Sequence, residues 1–174
     1  VWALYEDRHG MLWVGTLGGV NVLDPDSGRF EHHLNDPEDP QSLSNDAVFA
    51  FHEGADGGMW IGTWGSGLDW FDPRTKTFSH YTEKDGLANN VIYGIEADSG
   101  GHLWMSTNWG LSQFDPIAAT FHNYDVRDGL QDNEFNVGAH CASPSGELFF
   151  GGIRGFNAFY PEQVTGNPHV PPVV

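Results

Sequence analysis

The stretch Gly57–Thr63 reads Gly-Gly-Met-Trp-Ile-Gly-Thr, and it decides the fold because the chain repeats it. The same order of glycine, apolar residue, aromatic ring, apolar residue and small residues returns at Gly10–Thr16, Gly101–Thr107 and Gly146–Gly152. Successive aromatic residues lie 47, 44 and 45 residues apart, at Trp13, Trp60, Trp104 and Phe149. A step this constant predicts four copies of one structural unit.

Each unit carries further signals in the same order. The aromatic stretch is followed by a glycine and an apolar residue. Further along the unit, an apolar residue is followed by Asp-Pro, as at Phe71–Pro73. In the second unit we predict four short strands, Val48–Glu53, Met59–Thr63, Leu68–Asp72 and Phe78–Tyr81. No segment has a helical period, and four-stranded antiparallel units repeated at about 40 to 50 residues are typical of β-propeller blades. A stacked β-solenoid, whose repeat is usually shorter, is the alternative.

The units predict blades at residues 1–47, 48–91, 92–134 and 135–161, followed by a Pro-rich linker at 162–174 that leads towards a further domain. The fourth unit lacks the signals of a final strand. Three arrangements stay open: the end of a larger ring, two copies that pair into eight blades, or four blades that close alone. Because the chain starts at Val1 without an initiator Met or signal peptide, we expect it to come from a longer protein. An open set of blades exposes apolar faces, which favours self-association.

Charge restricts the possible partners. Seven Lys and Arg residues oppose 24 Asp and Glu residues, so the formal net charge is -17. This field repels phosphate backbones and anionic lipid surfaces, so we expect no nucleic-acid partner and membrane attachment only through other parts of the protein. Neutral or cationic ligands, including sugars, are compatible with it. A solvated acidic surface is the simpler explanation of the same charge.

Catalytic and metal motifs are not found in the sequence. It contains no phosphate loop, nucleophile elbow or His-Glu-x-x-His helix, so we predict neither an enzyme nor a cofactor. His32 and His33 are neighbours on a predicted strand and face opposite sides, so they cannot bind one ion together. His80 is predicted to be exposed on its strand. Cys141, the one cysteine, lies beside His140; we predict a buried small residue there rather than a nucleophile.

Positions that differ between the four copies are the best candidates for function. Propeller ligands usually bind where two sets of loops meet the axis: the BC loops, between second and third strands, and the DA loops, between one blade and the next. We predict the core, rather than a sugar platform, for the repeated aromatic residues. The candidate ligand-binding residues are Trp64, Ser66, Asn108, Trp109, Arg154, Asn45, Asn90 and Asn133. For the three DA-loop asparagines, caps that hold turns by local hydrogen bonds are the competing interpretation.

The units resemble the two-component regulator propeller repeat, Asp-x-x-Gly-x-Leu-Trp-Ile-Gly-Thr-x-x-Gly-Leu followed by an apolar residue and Asp. The resemblance lies in Asp7–Asp24, Asp98–Asp115 and, without the first Asp, Gly54–Asp72. The segments Asp128–Asn136 and Leu148–Pro161 look like the last blade of such propellers, before an immunoglobulin-like domain. Propellers of this family usually have about seven blades, whereas this chain has three complete units and a partial fourth.

The resemblance implies the periplasmic sensor part of a hybrid histidine kinase or related bacterial receptor, a class in which several members sense oligosaccharides. It therefore favours a non-enzymatic sensor that binds a small molecule or an oligosaccharide. A structural scaffold that binds other blades, or a second copy of the chain, is the first alternative. A propeller lyase of the streptogramin lyase type is the second, and it would need His and Glu side chains on converging loops.

Overall fold

The computed structural model describes residues 1–164, which form fifteen β-strands in four antiparallel sheets around a common axis. Blade 1 contains β1 (Ala3–Glu6), β2 (Leu12–Gly15), β3 (Val20–Asp24) and β4 (Arg29–His33). Blade 2 contains β5 (Val48–Glu53), β6 (Met59–Thr63), β7 (Leu68–Asp72) and β8 (Thr77–Tyr81). Blade 3 contains β9 (Ile92–Ala97), β10 (Leu103–Thr107), β11 (Gly110–Asp115) and β12 (Thr120–Tyr124). Blade 4 contains β13 (Phe135–Ala142), β14 (Leu148–Gly152) and β15 (Gly155–Phe159).

The predicted fold class, β-propeller blades, is confirmed, and the strands of the second unit match to within one residue. Each sheet is a meander in which neighbouring strands pair in sequence order, unlike a stacked solenoid. Blade 4 has three strands within the described residues, and a single 3-10 turn, Pro161–Gln163, follows it. The predicted linker falls mainly on residues 165–174, which lie outside the described residues. The other 3-10 turns are Glu83–Asp85 and Val126–Asp128.

The glycine at the start of the third strand in blades 1 to 3 is required by sterics. Gly67 and Gly110 have φ values of 86° and 89°, in the left-handed region that side chains rarely adopt. A Cβ atom on Gly67 would also collide with the carbonyl oxygen of Tyr81, and one on Gly110 with that of Tyr124. The repeated glycine therefore lets the end of the fourth strand lie close to the start of the third.

The core consists of three apolar clusters, each between two consecutive blades. The aromatic residue of the second strand points to the following blade. In that following blade, the ring meets the phenylalanine near the end of the third strand. We call the side of a blade from which its second-strand ring projects the aromatic face of that blade. The opposite side, which takes up the ring of the preceding blade, is its receiving face. The ring centroids are 5.6 Å apart for Trp13–Phe71, 5.5 Å for Trp60–Phe114 and 4.9 Å for Trp104–Phe159.

An aspartate orients two of these tryptophans. The indole Nε1 of Trp13 donates to Asp7 Oδ2 at 2.9 Å, and that of Trp104 donates to Asp98 Oδ2 at 3.0 Å. In blade 2 Gly54 replaces the aspartate, and the ring of Trp70 packs over Gly54 and Gly58 instead. The first Asp of the repeat is therefore a hydrogen-bond acceptor for the buried indole, which would otherwise lose its bond to water.

Polar contacts also join consecutive blades. In each DA loop, the residue after a buried or half-buried leucine donates its backbone N–H to a side chain on the third strand of the following blade, a contact we call the loop clasp. The clasps are Ser44 to Asp69 at 2.8 Å, Ala88 to Ser112 at 3.0 Å and Gln131 to Asn157 at 3.0 Å. They fix each DA loop on the receiving face of the next blade.

His80 belongs to the first clasp and is half-buried rather than exposed, so that prediction was wrong. Its Nδ1 lies 2.8 Å from Asp69 Oδ1, and its Nε2 lies 3.1 Å from the carbonyl oxygen of Pro40. The hydrogen bond to Asp69 raises the pKa of His80, and this outweighs the opposing effect of burial. The prediction failed because the sequence pattern within one blade does not show that the loop from the preceding blade covers this histidine.

This clasp predicts a pH-dependent contribution to stability. The pKa of His80 is higher in the folded state than in the unfolded state. The contribution of protonated His80 to the free energy of unfolding is therefore complete below the ordinary pKa of about 6.5, and it is lost as pH rises through the folded-state pKa. The free energy of unfolding of the wild type should therefore approach that of His80→Asn as pH rises from about 6 to about 9. Urea unfolding measures this difference. His122→Asn, at an exposed histidine on β12, is the control, and an unchanged difference for His80→Asn would contradict the clasp.

Two tryptophans test the assignment of the core. Trp104 is 1% exposed and Trp109 is 61% exposed. Trp104→Ala should lower the free energy of unfolding by about 3 to 5 kcal/mol, since it leaves a cavity between blades 3 and 4. Trp109→Ala should change it by less than about 0.5 kcal/mol. Chemical denaturation of both variants measures the contrast, and equal effects would refute the proposed packing.

Candidate functional site

The BC loop of blade 2 places an exposed tryptophan beside an inner aromatic residue. Trp64 is 53% exposed, and its ring centroid lies 5.2 Å from that of buried Phe49. Phe49 in turn lies 5.2 Å from Trp2 and 6.4 Å from Tyr93. We call these four residues the aromatic row. The backbone of Trp64 is fixed by a hydrogen bond from its N–H to the carbonyl oxygen of Ala47 at 2.9 Å.

Two members of the aromatic row, Phe49 and Tyr93, come from one repeated position on the first strands. Phe49 lies between Val48 and Ala50 at a break in the pairing of β5 with β6, and Tyr93 lies at the equivalent break in β9. Such β-bulges leave one residue unpaired and turn its side chain in a new direction. Neither residue was predicted from the sequence, because a pattern of alternating side chains does not reveal a bulge.

Polar candidates surround part of this row. Asn45 donates from Nδ2 to the carbonyl oxygen of Trp64 at 3.2 Å and to Ser66 Oγ at 3.3 Å. The Tyr93 hydroxyl donates to Asn108 Oδ1 at 3.4 Å. Burial raises the pKa of Tyr93, and the charge of Glu134 adds to the rise, so the hydroxyl stays protonated and able to donate. Trp64, Ser66, Asn45 and Asn108 are therefore brought to one surface.

Two predicted asparagines hold turns. The Oδ1 atoms of Asn90 and Asn133 accept the N–H groups of Glu83 at 2.8 Å and Val126 at 3.0 Å, at the starts of two 3-10 turns. Their carbonyl oxygens also accept a glycine N–H from the BC loop, as Gly110 donates to Asn133 at 2.7 Å. These bonds agree with the competing interpretation as turn caps, and ligand binding by either residue stays a prediction.

The remaining candidates lie in other places. Trp109 lines a separate hollow together with Glu83, Asn123 and Arg127. Arg154 is largely exposed, and its Nε forms an ion pair with Asp132 Oδ2 at 3.0 Å. The structure therefore does not unite all predicted residues in one site. Trp64 belongs to the aromatic row, whereas Trp109 and Arg154 belong to other surfaces.

An axial cavity of about 300 Å³ lies below the aromatic row, between the first strands of the blades. The His140 Nδ1 atom lies 2.8 Å from Glu96 Oε1 in its wall. His52 also lines it, and burial lowers the pKa of this histidine despite the opposing charges of Glu96 and Glu53. Gly138 of blade 4 also lines the cavity, in the stretch between Phe135 and His140 where the pairing of β13 with β14 is irregular.

The His140–Glu96 pair was not predicted from the sequence, although His140 departs from the repeat. His140 pairs with Phe150, as Phe51 pairs with Ile61 in blade 2, so His140 replaces an apolar residue of the repeat. The irregular register of β13 hides this equivalence in the sequence.

Cys141 is exposed, so the prediction of a buried residue was wrong. It lies opposite Phe149 on the aromatic face of blade 4, which no following blade covers within the described residues. In residues 1–164, no group of three His, Cys, Asp or Glu side chains is arranged to hold a metal ion. No helix in that part of the chain is long and apolar enough to cross a membrane.

Residues 1–18, 42–65 and 86–109 each match the family described as two component regulator propeller. Three segments of the chain therefore match the two component regulator propeller repeat. Each of the last two matches runs from a DA loop into the BC loop of the following blade, so it includes the residues that join two blades. No curated protein sequence matches the chain.

Solved structures share the fold of these repeats. The extracellular domain of the putative one component system BT4673 from B. thetaiotaomicron matches with a TM-score of 0.81 and 20% identity, over 94% of this chain and 23% of that one. The extracellular domain of the putative hybrid two component system BT3049 from the same organism matches with a TM-score of 0.60 and 24% identity, over 99% and 29%. The chain thus spans about a quarter of these structures.

A lyase shares the architecture as well. Virginiamycin B lyase from Staphylococcus aureus matches with a TM-score of 0.62 and 14% identity, over 95% of this chain and 55% of that one. At such identities the similarity concerns the fold alone.

Proposed function

We propose that this chain is a ligand-binding part of a periplasmic sensor propeller and that it binds a neutral oligosaccharide on the aromatic row. The observation that carries the proposal is the half-exposed ring of Trp64, which is backed by buried Phe49 and flanked by hydrogen-bonding groups. The BC loop holds this ring in place before any ligand binds.

The chemistry of the row suits a sugar. The apolar C–H face of a pyranose stacks on an indole ring, and its hydroxyl groups need donors and acceptors at the edge of that ring. Ser66 and the Tyr93–Asn108 pair provide such groups. The net charge of -17 disfavours anionic ligands, which supports a neutral one.

The place of the chain in a receptor is inferred from similarity. The repeats belong to the regulator propeller type, and similar structures are extracellular domains of putative one and two component systems. We infer that the chain takes part in binding rather than catalysis. Transmission of the signal would belong to the rest of the protein, since this chain spans only about a quarter of those domains.

Titration of the purified chain with a panel of neutral oligosaccharides tests the proposal by isothermal calorimetry. For any sugar that binds, Trp64→Ala should weaken binding at least tenfold, equivalent to about 1.4 kcal/mol. Trp109→Ala should leave the affinity unchanged, because Trp109 lines a separate hollow. Ile117→Ala, at an almost fully exposed residue, controls for nonspecific effects. If no sugar binds, or if all three variants weaken binding equally, the proposal fails and the scaffold function is favoured.

The His140–Glu96 pair favours acid–base catalysis as a second candidate function. The Glu96 carboxylate is hydrogen-bonded to the imidazole of His140, and the imidazole of His52 lines the same cavity, so these groups can transfer protons. The axial cavity gives a small molecule access to them. Recovery of a bound ligand after incubation with the wild type separates the two functions. An unchanged ligand supports the sensor. Conversion that Glu96→Gln abolishes would support an enzyme.

A further inference from the structure

The AB turns, which join the first and second strands of a blade, have the same geometry in blades 1 to 3. They comprise residues 7–11, 54–58 and 98–102. In each turn the carbonyl oxygen of the first residue accepts the N–H of the fourth, at 2.9 Å in blade 1 and 3.0 Å in blades 2 and 3. The three turns can therefore be compared residue by residue.

Arg8, in the AB turn of blade 1, fills the hollow between blades 1 and 2. Its Nη2 and Nη1 atoms donate to the carbonyl oxygens of Gly54, at 2.5 Å, and Ala55, at 3.3 Å. Its Nε forms an ion pair with Glu53 Oε1 at 2.5 Å, and its backbone N–H donates to Glu53 Oε2 at 2.9 Å. The first two carbonyl groups of an AB turn, beside a carboxylate, therefore bind a guanidinium group in this fold.

The equivalent hollow between blades 2 and 3 is open, with a volume of about 700 Å³. Ala55 takes the place of Arg8, so blade 2 sends no guanidinium group to blade 3. Asp98 and Ser99, whose carbonyl groups correspond to the two acceptors of Arg8, line the hollow. Among residues 1–164, no lysine or arginine lines it. The hollow therefore keeps two acceptors for a guanidinium group without containing one.

Carboxylates make this hollow attractive to a cation. Asp56 and Asp115 line it, and each uses its Oδ1 atom to accept a backbone N–H of its own turn. His52 also lines it, but burial lowers the pKa of this histidine, so near neutral pH it does not repel a cation. Ala97 stands where blade 2 has Glu53, so the carboxylates of this hollow come from other positions than in the contact of Arg8.

A buried hydrogen-bond donor lines the same hollow. Trp60 is 6% exposed there. The corresponding indoles of blades 1 and 3 donate to an aspartate of their own AB turn. In blade 2 Gly54 stands in place of that aspartate, and within the part of the chain that the structure describes nothing accepts the N–H of Trp60. A ligand that carries a hydrogen-bond acceptor beside its cationic group can satisfy this donor.

We propose that the hollow between blades 2 and 3 binds an arginine residue of a peptide segment that does not belong to the four blades. Its guanidinium group donates to the carbonyl oxygens of Asp98 and Ser99, as Arg8 does one blade earlier, and a peptide carbonyl of the same segment accepts the N–H of Trp60. Arginine is favoured over lysine because a planar guanidinium group can reach two carbonyl oxygens and a carboxylate at once.

NMR titration of the isotope-labelled chain with short peptides tests the proposal. The probe is acetyl-Gly-Arg-Gly-amide, and the controls replace its arginine by lysine or by citrulline, a neutral isostere. The arginine peptide should shift the indole N–H resonance of Trp60 more than those of Trp13 and Trp104, which are bonded to aspartates. Both control peptides should bind at least about fivefold more weakly. Free arginine should also bind more weakly, because it has no peptide carbonyl for Trp60 and the acidic hollow repels its carboxylate.

Three variants separate this site from a general attraction of cations. Ala55→Arg, at an exposed position, supplies the guanidinium group from blade 2 and should abolish binding. Ala97→Glu restores the carboxylate that Glu53 provides to Arg8 and should tighten binding about threefold. Thr75→Arg adds the same charge at an exposed turn residue that does not line the hollow, and it should leave the affinity unchanged. Thermal unfolding checks that each variant is folded.

Three results would overturn the proposal. The first is an unchanged Trp60 resonance in the presence of the arginine peptide. The second is equal binding of that peptide and the citrulline peptide, the lysine peptide or free arginine. The third is undiminished binding to folded Ala55→Arg.

Discussion

The contact on which this structure depends is that of the second-strand aromatic ring with the phenylalanine that ends the third strand of the next blade. A single blade cannot bury the apolar face of its sheet alone, and stacking on neighbouring blades buries it. The contact of Trp13 with Phe71, and its equivalents, covers one face of each sheet with a neighbour. The hydrogen bond from the indole N–H to Asp7 or Asp98 lets this large ring be buried without an unpaired donor.

The loop clasps align the blades that the rings hold together. Ring packing alone tolerates some sliding between sheets, because apolar contact has little directional preference. A backbone N–H that donates to Asp69, Ser112 or Asn157 allows only one placement of the loop. Since DA and BC loops share hydrogen bonds, as between Asn133 and Gly110, the clasp also fixes the loops that carry the aromatic row.

The blades could be predicted from the sequence because each turn and strand signal is local and occurs repeatedly. Trp64 could be found for the opposite reason, since it departs from the repeat. Phe49 and Tyr93 could not be found, because their direction depends on bulges in the pairing of first and second strands. The burial of His80 and the exposure of Cys141 depend on which blade covers a face, and a pattern within one blade does not contain this information.

Function on this scaffold requires positions that are free from packing, and the repeat makes few of them available. Rings at the second-strand position of blades 1 to 3 are committed to the core, so aromatic residues near the axis come from other positions. The aromatic row uses two kinds of such position: Trp64 from a loop, and Phe49 and Tyr93 from bulges. In blade 4, Gly138 lines the cavity beside His140 and Glu96. Phe49 backs the ring of Trp64 and also lines the cavity, so a substitution of Phe49 should alter both the surface on which a ligand could stack and the cavity beneath it.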